Sequence, residues 1–73
     1  MKKFIVEITS TTVADLCWIF QYDTEAERNE AIEVITKSLK NPVSAYIQLK
    51  SSDSIFNIII PKPVLEKSII SWK

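Results

Sequence analysis

The chain has 73 residues with nine basic and nine acidic side chains, so its formal net charge is zero and no basic surface for nucleic acid or an anionic membrane is expected. One cysteine, no histidine and no glycine exclude an internal disulfide, a His-containing metal site and glycine-rich phosphate loops. A chain of this length predicts a single domain, residues 1–73, which buries only about 60% of its unfolded surface and is marginal by itself.

Two strands are predicted at the start of the chain. Residues 3–9 alternate, with Phe4, Val6 and Ile8 on one face. Residues 16–22 are rich in aromatic and β-branched side chains, which predicts a second strand in a hairpin with the first. A buried helix over residues 13–21 is the alternative, because short apolar runs fit both patterns.

The next predicted element is a helix over residues 24–40. Thr24 and Glu27 have the spacing of a capping box, and glutamates near the start with lysines near the end complement the helix dipole. Pro42 stops the helix. Its apolar stripe, which includes the stem of one arginine, is formed by Arg28, Ala31, Ile32, Ile35 and Leu39.

Three further strands are predicted after the helix. Residues 43–50 alternate, and the polar residues 51–54 predict a hairpin turn. Residues 55–60 contain three consecutive isoleucines, which is typical of a central strand. Two prolines end this strand, residues 64–66 allow one helical turn, and residues 68–72 predict a short last strand.

The resulting order, β-β-α-β-β-β, predicts an α+β fold with one antiparallel sheet of four to five strands and one helix on one face. The sheet face under the helix is predicted to consist of Phe4, Val6, Ile8, Leu16, Trp18, Phe20, Val43, Ala45, Ile47, Leu49, Phe56, Ile58 and Ile60.

The other face of the predicted sheet also carries apolar side chains, and a single helix covers only one face. A homo-oligomer is therefore expected, with a dimer favoured because a two-fold pair is the commonest closed assembly. The alternative is that the sheet curls and the chain's own tail covers this face. The candidate interface residues are Ile5, Cys17, Ile19, Tyr46, Ile55, Ile59 and Trp72.

Catalysis is not expected from this sequence. There is no histidine to act as a base near neutral pH, and Cys17 lies in an apolar strand, which predicts a buried structural thiol. The glutamates of the helix have the spacing of a solvated face. We therefore predict a non-enzymatic protein-interaction module with no catalytic residues, no cofactor and no metal.

Two other binding functions remain as alternatives. One is a small-ligand binder, for example for a nucleotide, with aromatic rings that stack on a base and cations that meet a phosphate at an oligomer interface. The other is a single-stranded nucleic-acid binder, which the scattered lysines make less favoured. The candidate residues for the small ligand are Tyr22, Arg28, Tyr46, Lys62, Lys67 and Trp72.

The sequence also carries expectations about location and origin. No run of about 18 apolar residues exists, which predicts no membrane span, and a lone cysteine without a secretory signal predicts the cytoplasm. The abundance of isoleucine and lysine and the absence of glycine suggest an AT-rich gene. We therefore expect a phage or mobile-element protein of a low-GC bacterium, which modulates a host or defence factor.

Overall fold

The computed structural model describes residues 4–52 and 54–73. Lys3, in the predicted first strand, and Asp53, in the predicted turn, lie outside the described residues. The elements in chain order are β1 (Phe4–Ser10), β2 (Cys17–Tyr22), α1 (Glu25–Lys40), β3 (Tyr46–Leu49), β4 (Ile58–Pro61), α2 (Lys62–Glu66) and β5 (Ser68–Trp72).

The α+β class, the antiparallel pairing and the one long helix are confirmed, but the single sheet of four to five strands was wrong. The described strands form a three-stranded sheet in the order β2-β1-β5 and a separate two-stranded sheet of β3 and β4. The predicted element order also differs, because residues 62–66 form a helix between β4 and β5. Pro61 precedes this helix and Pro63 lies in its first turn, where a missing N–H costs nothing.

The three-stranded sheet is built around β1, which pairs with β2 on one side and β5 on the other. Residues 17–22 are a strand, not the alternative helix, and they form the predicted hairpin with β1. Asp15, in the connection, has a φ of 63°, a left-handed turn that this glycine-free chain assigns to aspartate. The alternation predicted for the two strands is confirmed by Val6, Ile8 and Phe20, which are fully buried.

Helix α1 begins as its sequence predicts. The Thr24 hydroxyl accepts a hydrogen bond from the Glu27 N–H at 3.2 Å and donates to Glu27 Oε1 at 3.0 Å. Its buried side consists of residues 31, 35 and 38, spaced by about one and two turns. Leu39, predicted in the stripe, is exposed because it lies one position further round the helix. Ser38 takes the buried position and shares a 2.7 Å hydrogen bond with the Ser44 hydroxyl.

The two strands of the second hairpin, β3 and β4, are shorter than the sequence predicts. Val43 and Phe56, both expected under the helix, are 84% and 73% exposed, and Ala45 is exposed as well. They lie outside β3 and β4, in segments that no strand pairs with among the described residues. Leu16 precedes β2 and is half-buried, and Ile58 at the start of β4 is partly exposed. The prediction for these residues was wrong because alternation does not show where pairing stops.

One core joins the two sheets and both helices. The hairpin contributes Ile47, Leu49 and Ile60, which are buried together with Leu65 of α2 and with the inner side of the three-stranded sheet. Phe4, Trp18, Ile32, Val64 and Ile70 pack against its margin. The inner sides of both sheets are therefore covered, and the opposite side of the three-stranded sheet remains to be described.

Candidate functional site

The side of the three-stranded sheet opposite the core is here called the outer face. Residues paired across an antiparallel ladder share a face, so the registers assign its members. Lys73 extends the set beyond β5, because its backbone exchanges hydrogen bonds with Ile5 at 2.9 and 3.1 Å. The outer face consists of Ile5, Glu7, Thr9, Cys17, Ile19, Gln21, Ile69, Ser71 and Lys73.

The outer face is open to solvent and carries three isoleucines around Glu7, which the registers place at its centre. Ile19, which pairs with Glu7, is 54% exposed, and Ile69, which pairs with Thr9, is 63% exposed, while Ile5 is half-buried. Cys17, predicted as a buried thiol, is exposed, and its Sγ accepts a long 3.6 Å contact from the Thr9 hydroxyl. That prediction was wrong because no second layer from the described residues covers this side of the sheet.

A shallow groove runs along one end of the outer face. Its volume is about 240 Å³, and its walls combine isoleucine side chains with polar groups of both charge signs. The carboxylate of Glu7 accepts a 3.3 Å hydrogen bond from the Thr9 hydroxyl. The lining residues are Ile5, Glu7, Ile19, Gln21, Ser71, Trp72 and Lys73.

The seven candidate interface residues divide between the two sheets. Ile5, Cys17 and Ile19 lie on the outer face. Trp72 pairs with the buried Val6, so it belongs to the core side of β5, and it also borders the groove at the sheet edge.

The remaining three candidates lie in the second hairpin or its loop. Tyr46 pairs with Pro61, and Ile59 pairs with Gln48. The side chains of Tyr46 and Ile59 are therefore on the side of the hairpin opposite the buried Ile60. Ile55 lies in the loop before β4 and is exposed.

Sequence reasoning missed one apolar member of the outer face and misplaced another exposed residue. Ile69 was not among the candidates, although the alternation of β5 separates it from Ile70 and therefore contained the signal. Phe56, expected in the core, is an exposed loop residue, and no pattern in the sequence indicates this. Its position depends on where β4 begins, which only the pairing with β3 decides.

The side chains of three of the six candidate ligand-binding residues are buried or contact other side chains or backbone groups of the protein. The Arg28 guanidinium lies 5.5 Å from the centroid of the Phe4 ring and 3.5 Å from the Glu25 carboxylate. Lys62 is buried, and its Nζ donates to the carbonyl of Asn41, the residue that ends α1. This places a cation at the negative end of the helix dipole.

The third of these candidates, Tyr22, is buried, and its hydroxyl has no hydrogen-bond partner among the described residues. Burial raises the pKa of this phenol, and the nearby Glu27 carboxylate raises it further. Tyr22 borders a second groove of about 300 Å³ between α1 and the hairpin, which Glu30, Lys50 and Asn57 also line. Tyr46, Lys67 and Trp72 are exposed on other elements, and neither groove is lined by more than one of the six candidates.

Among residues 4–52 and 54–73, no group of three or more acidic or cysteine side chains is placed to hold a metal ion. None of the helices in this part of the chain is long and apolar enough to cross a membrane. Comparison with models of protein families, with curated proteins and with solved structures found no match to this chain.

Proposed function

We propose that the chain is a small, non-enzymatic protein-interaction module that works as a homodimer through its outer face. The observation that carries this proposal is that Ile19, Ile69 and Cys17 are exposed, and Ile5 half-buried, on one uncovered side of the sheet. Full burial of an isoleucine contributes roughly 1.5–3 kcal/mol, so a second layer over this group stabilises the assembly.

A second copy fits the outer face for two reasons. The face carries one carboxylate, Glu7, and one ammonium group, Lys73, so two copies meet without an excess of either charge. Its three isoleucines and Cys17 alternate with the polar residues Glu7, Thr9, Gln21 and Ser71, and a second copy adds both apolar contacts and polar partners. A two-fold axis brings the same patch together on both subunits.

The first test is the molar mass in solution, measured by light scattering over a range of protein concentrations. We expect the wild type to be oligomeric and the Ile19→Lys variant, which loses this contact, to have half the molar mass of the wild type. Val34→Lys is the matched control, because Val34 is 43% exposed on α1 and the substitution adds the same charge far from the outer face. A monomeric wild type, or an Ile19→Lys protein with unchanged mass, would contradict the proposal.

The thiol of Cys17 offers a second test that does not depend on a variant. Cys17 is exposed on the outer face of one subunit, so the proposed contact shields it from alkylating reagents. We expect the alkylation rate to fall as the protein concentration rises and the dimer forms. A rate that stays constant while light scattering shows a dimer would place the contact elsewhere.

The wider biological role stays a prediction. The composition of the chain supports a phage or mobile-element accessory protein that modulates a host or defence factor, and the base composition and neighbours of the gene test this. The small-ligand and single-stranded nucleic-acid alternatives also stay predictions. Thermal unfolding in the presence of nucleotides or oligonucleotides tests them, since a ligand that binds the folded state raises the melting temperature.

A further inference from the structure

Strand β5 has one edge that its own sheet uses and one that it does not. The backbones of Lys73 and Ile5 exchange both of their hydrogen bonds across the β1–β5 ladder. Hydrogen-bonded pairs alternate along an antiparallel ladder, so Ser71 and Ile69 also direct their N–H and C=O groups toward β1.

The same alternation directs the backbone groups of Ser68, Ile70 and Trp72 away from β1. Strand β5 is the last strand of its sheet, and no hydrogen bond from another described strand or loop reaches these three residues on that side. The result is a row of backbone donors and acceptors at every second residue, which is the pattern that pairs with another strand.

Two other sheet edges in the described part of the chain are partly modified, whereas no such feature is found on the edge of β5. On the free edge of β2, Ser51 and Ser52 hydrogen-bond to the backbone of Gln21. Strand β4 ends in Pro61, which has no N–H. The sequence of β5, Ser-Ile-Ile-Ser-Trp, contains no charged residue and no proline, which are the usual protections of an edge.

We propose that β5 pairs in antiparallel fashion with β5 of a second copy, across a two-fold axis at Ile70. The three outward residues are spaced symmetrically about Ile70, so this register places Ile70 opposite Ile70 of the second copy and Ser68 opposite its Trp72. Each of these pairs exchanges both backbone hydrogen bonds, and the two three-stranded sheets become one continuous sheet.

The edge contact uses a different surface from the outer-face contact, so it goes beyond the proposed function. Its side chains are on the core side of β5, where Trp72 is exposed at the sheet margin and gains a neighbour from the second copy. Two perpendicular two-fold contacts, one through the outer face and one through the β5 edge, generate a closed tetramer. Each contact alone generates a dimer.

The register centred on Ile70 has a consequence for charge. It places Lys67 opposite Lys73 of the second copy, and residues directly opposite in an antiparallel pair lie on the same face. Both side chains are exposed, so their repulsion opposes the contact and is weakened by salt. This arrangement makes the register testable by a change of charge at one position.

The first experiment removes the outward donor at the centre of the contact. The N–H of Ile70 is not bonded to β1, so Ile70→Pro removes a group that the subunit's own ladder does not use and blocks the edge. Ile70→Val is the matched control, since it keeps the N–H and most of the side chain. Circular dichroism and thermal unfolding establish that both variants are folded. We expect Ile70→Pro to halve the molar mass of the wild-type assembly and Ile70→Val to leave it unchanged.

The second experiment strengthens the contact and does not depend on the proline variant. This experiment uses the Ile19→Lys protein, in which the outer-face contact is lost and only the edge contact remains. In the Lys67→Glu variant of that protein, the new carboxylate lies opposite the ammonium group of Lys73 of the second copy. We expect the dissociation constant to fall roughly three- to tenfold. Lys50→Glu, which makes the same change of charge near the other sheet, is expected to leave it unchanged. Added salt should tighten the parent dimer and not the Lys67→Glu dimer.

The outcomes separate this inference from the proposed function. A folded Ile70→Pro protein with the wild-type mass overturns the edge contact, and a Lys67→Glu protein with the parent dissociation constant overturns the register at Ile70. An assembly that Ile19→Lys leaves intact but Ile70→Pro dissociates supports the edge contact and contradicts the outer-face dimer. A wild type that is monomeric at all concentrations overturns both.

Discussion

The two sheets of this protein are built from similar sequence patterns, but their strands differ in length. Strands β1, β2 and β5 have seven, six and five residues, whereas β3 and β4 have four each. Strand β1 has a partner on both edges, so its register is held along its whole length. The hairpin has one pair of strands and depends on the helices behind it, since isolated two-stranded sheets are marginal in water. The comparison shows that alternation assigns faces, while the stretch over which a partner strand lies alongside decides strand length.

The place where the two sheets meet explains why they did not become one. The N–H groups of Gln21 and Asp23 donate to the hydroxyls of Ser51 and Ser52 at 3.0 and 3.1 Å, where a continuous ladder has backbone carbonyls. The Ser52 hydroxyl in turn donates to Glu27 Oε2 at 2.8 Å. Serine side chains therefore satisfy the edge of β2 and connect it to the first turn of α1, and β3 separates from β2.

The largest expected effect tests whether the short hairpin belongs to the core. Ile60 of β4 is fully buried, so Ile60→Ala is expected to lower the free energy of unfolding by about 3 kcal/mol through lost packing and a cavity. Its neighbour Ile59 points outward, and Ile59→Ala is expected to cost less than about 1 kcal/mol. Urea unfolding measures both. Equal losses would mean that the hairpin is only loosely attached.

A smaller effect is expected where the hairpin region meets the end of α1. Lys62→Met keeps the apolar stem but removes the ammonium group that donates to the Asn41 carbonyl. We expect a loss of about 1–2 kcal/mol in the free energy of unfolding, because a charged hydrogen bond at the helix end is removed. Lys67→Met, at an exposed position, is the control with little expected effect. If both variants have the same free energy of unfolding, the Lys62 ammonium group does not stabilise the end of α1.

The serine contacts between the sheets should contribute less. Ser52→Ala removes the acceptor of the Asp23 N–H and the donor to Glu27, with an expected cost of about 1 kcal/mol. Ser54→Ala is the control, since among the described residues the Ser54 hydroxyl bonds only to the backbone of Phe56, within its own loop. Hydrogen exchange should show faster exchange of the Asp23 amide in Ser52→Ala alone. Unchanged exchange would show that the two sheets do not depend on this serine.

The smallest expected effect is a stabilisation. Tyr22→Phe removes a buried hydroxyl that lacks a hydrogen-bond partner among the described residues, so the free energy of unfolding should rise by roughly 0.5 kcal/mol. Tyr46→Phe, on the exposed side of the hairpin, is the matched control and should change little. A destabilised Tyr22→Phe protein would show that the hydroxyl has a partner in solution, such as a water molecule.

The same tyrosine predicts a dependence of stability on alkaline pH. The pKa of Tyr22 is raised above its ordinary value of 10.0, first by burial and then by Glu27, so the folded state favours the neutral phenol. The resulting stability is fully present below pH 10 and is lost as the pH rises through the folded-state pKa. Urea unfolding between pH 8 and 11 should show a decline that is smaller in Tyr22→Phe. An identical decline in both proteins would assign it to other groups.

Much of the candidate site was predictable residue by residue, but its division was not. Ile5, Cys17 and Ile19 were assigned to the face away from the helix. They lie there because side chains alternate with a period of two along β1 and β2. Tyr46 and Ile59 were assigned to the same surface and belong to another sheet. The alternation of a strand carries no information about its neighbour, so no pattern in the sequence separates one surface from two.

The sequence by itself determined the α+β class, the span and cap of α1 and the inward side of β1 to β4, because these depend on local periodicity and on side chains three or four positions apart. Only the tertiary structure decided where β3 and β4 end, that residues 62–66 form a helix, and that Ser51 and Ser52 replace a ladder at the edge of β2. These features depend on contacts between residues that are distant in the chain, such as Gln21 and Ser51. Such contacts form only when the helices and both sheets pack together around one core.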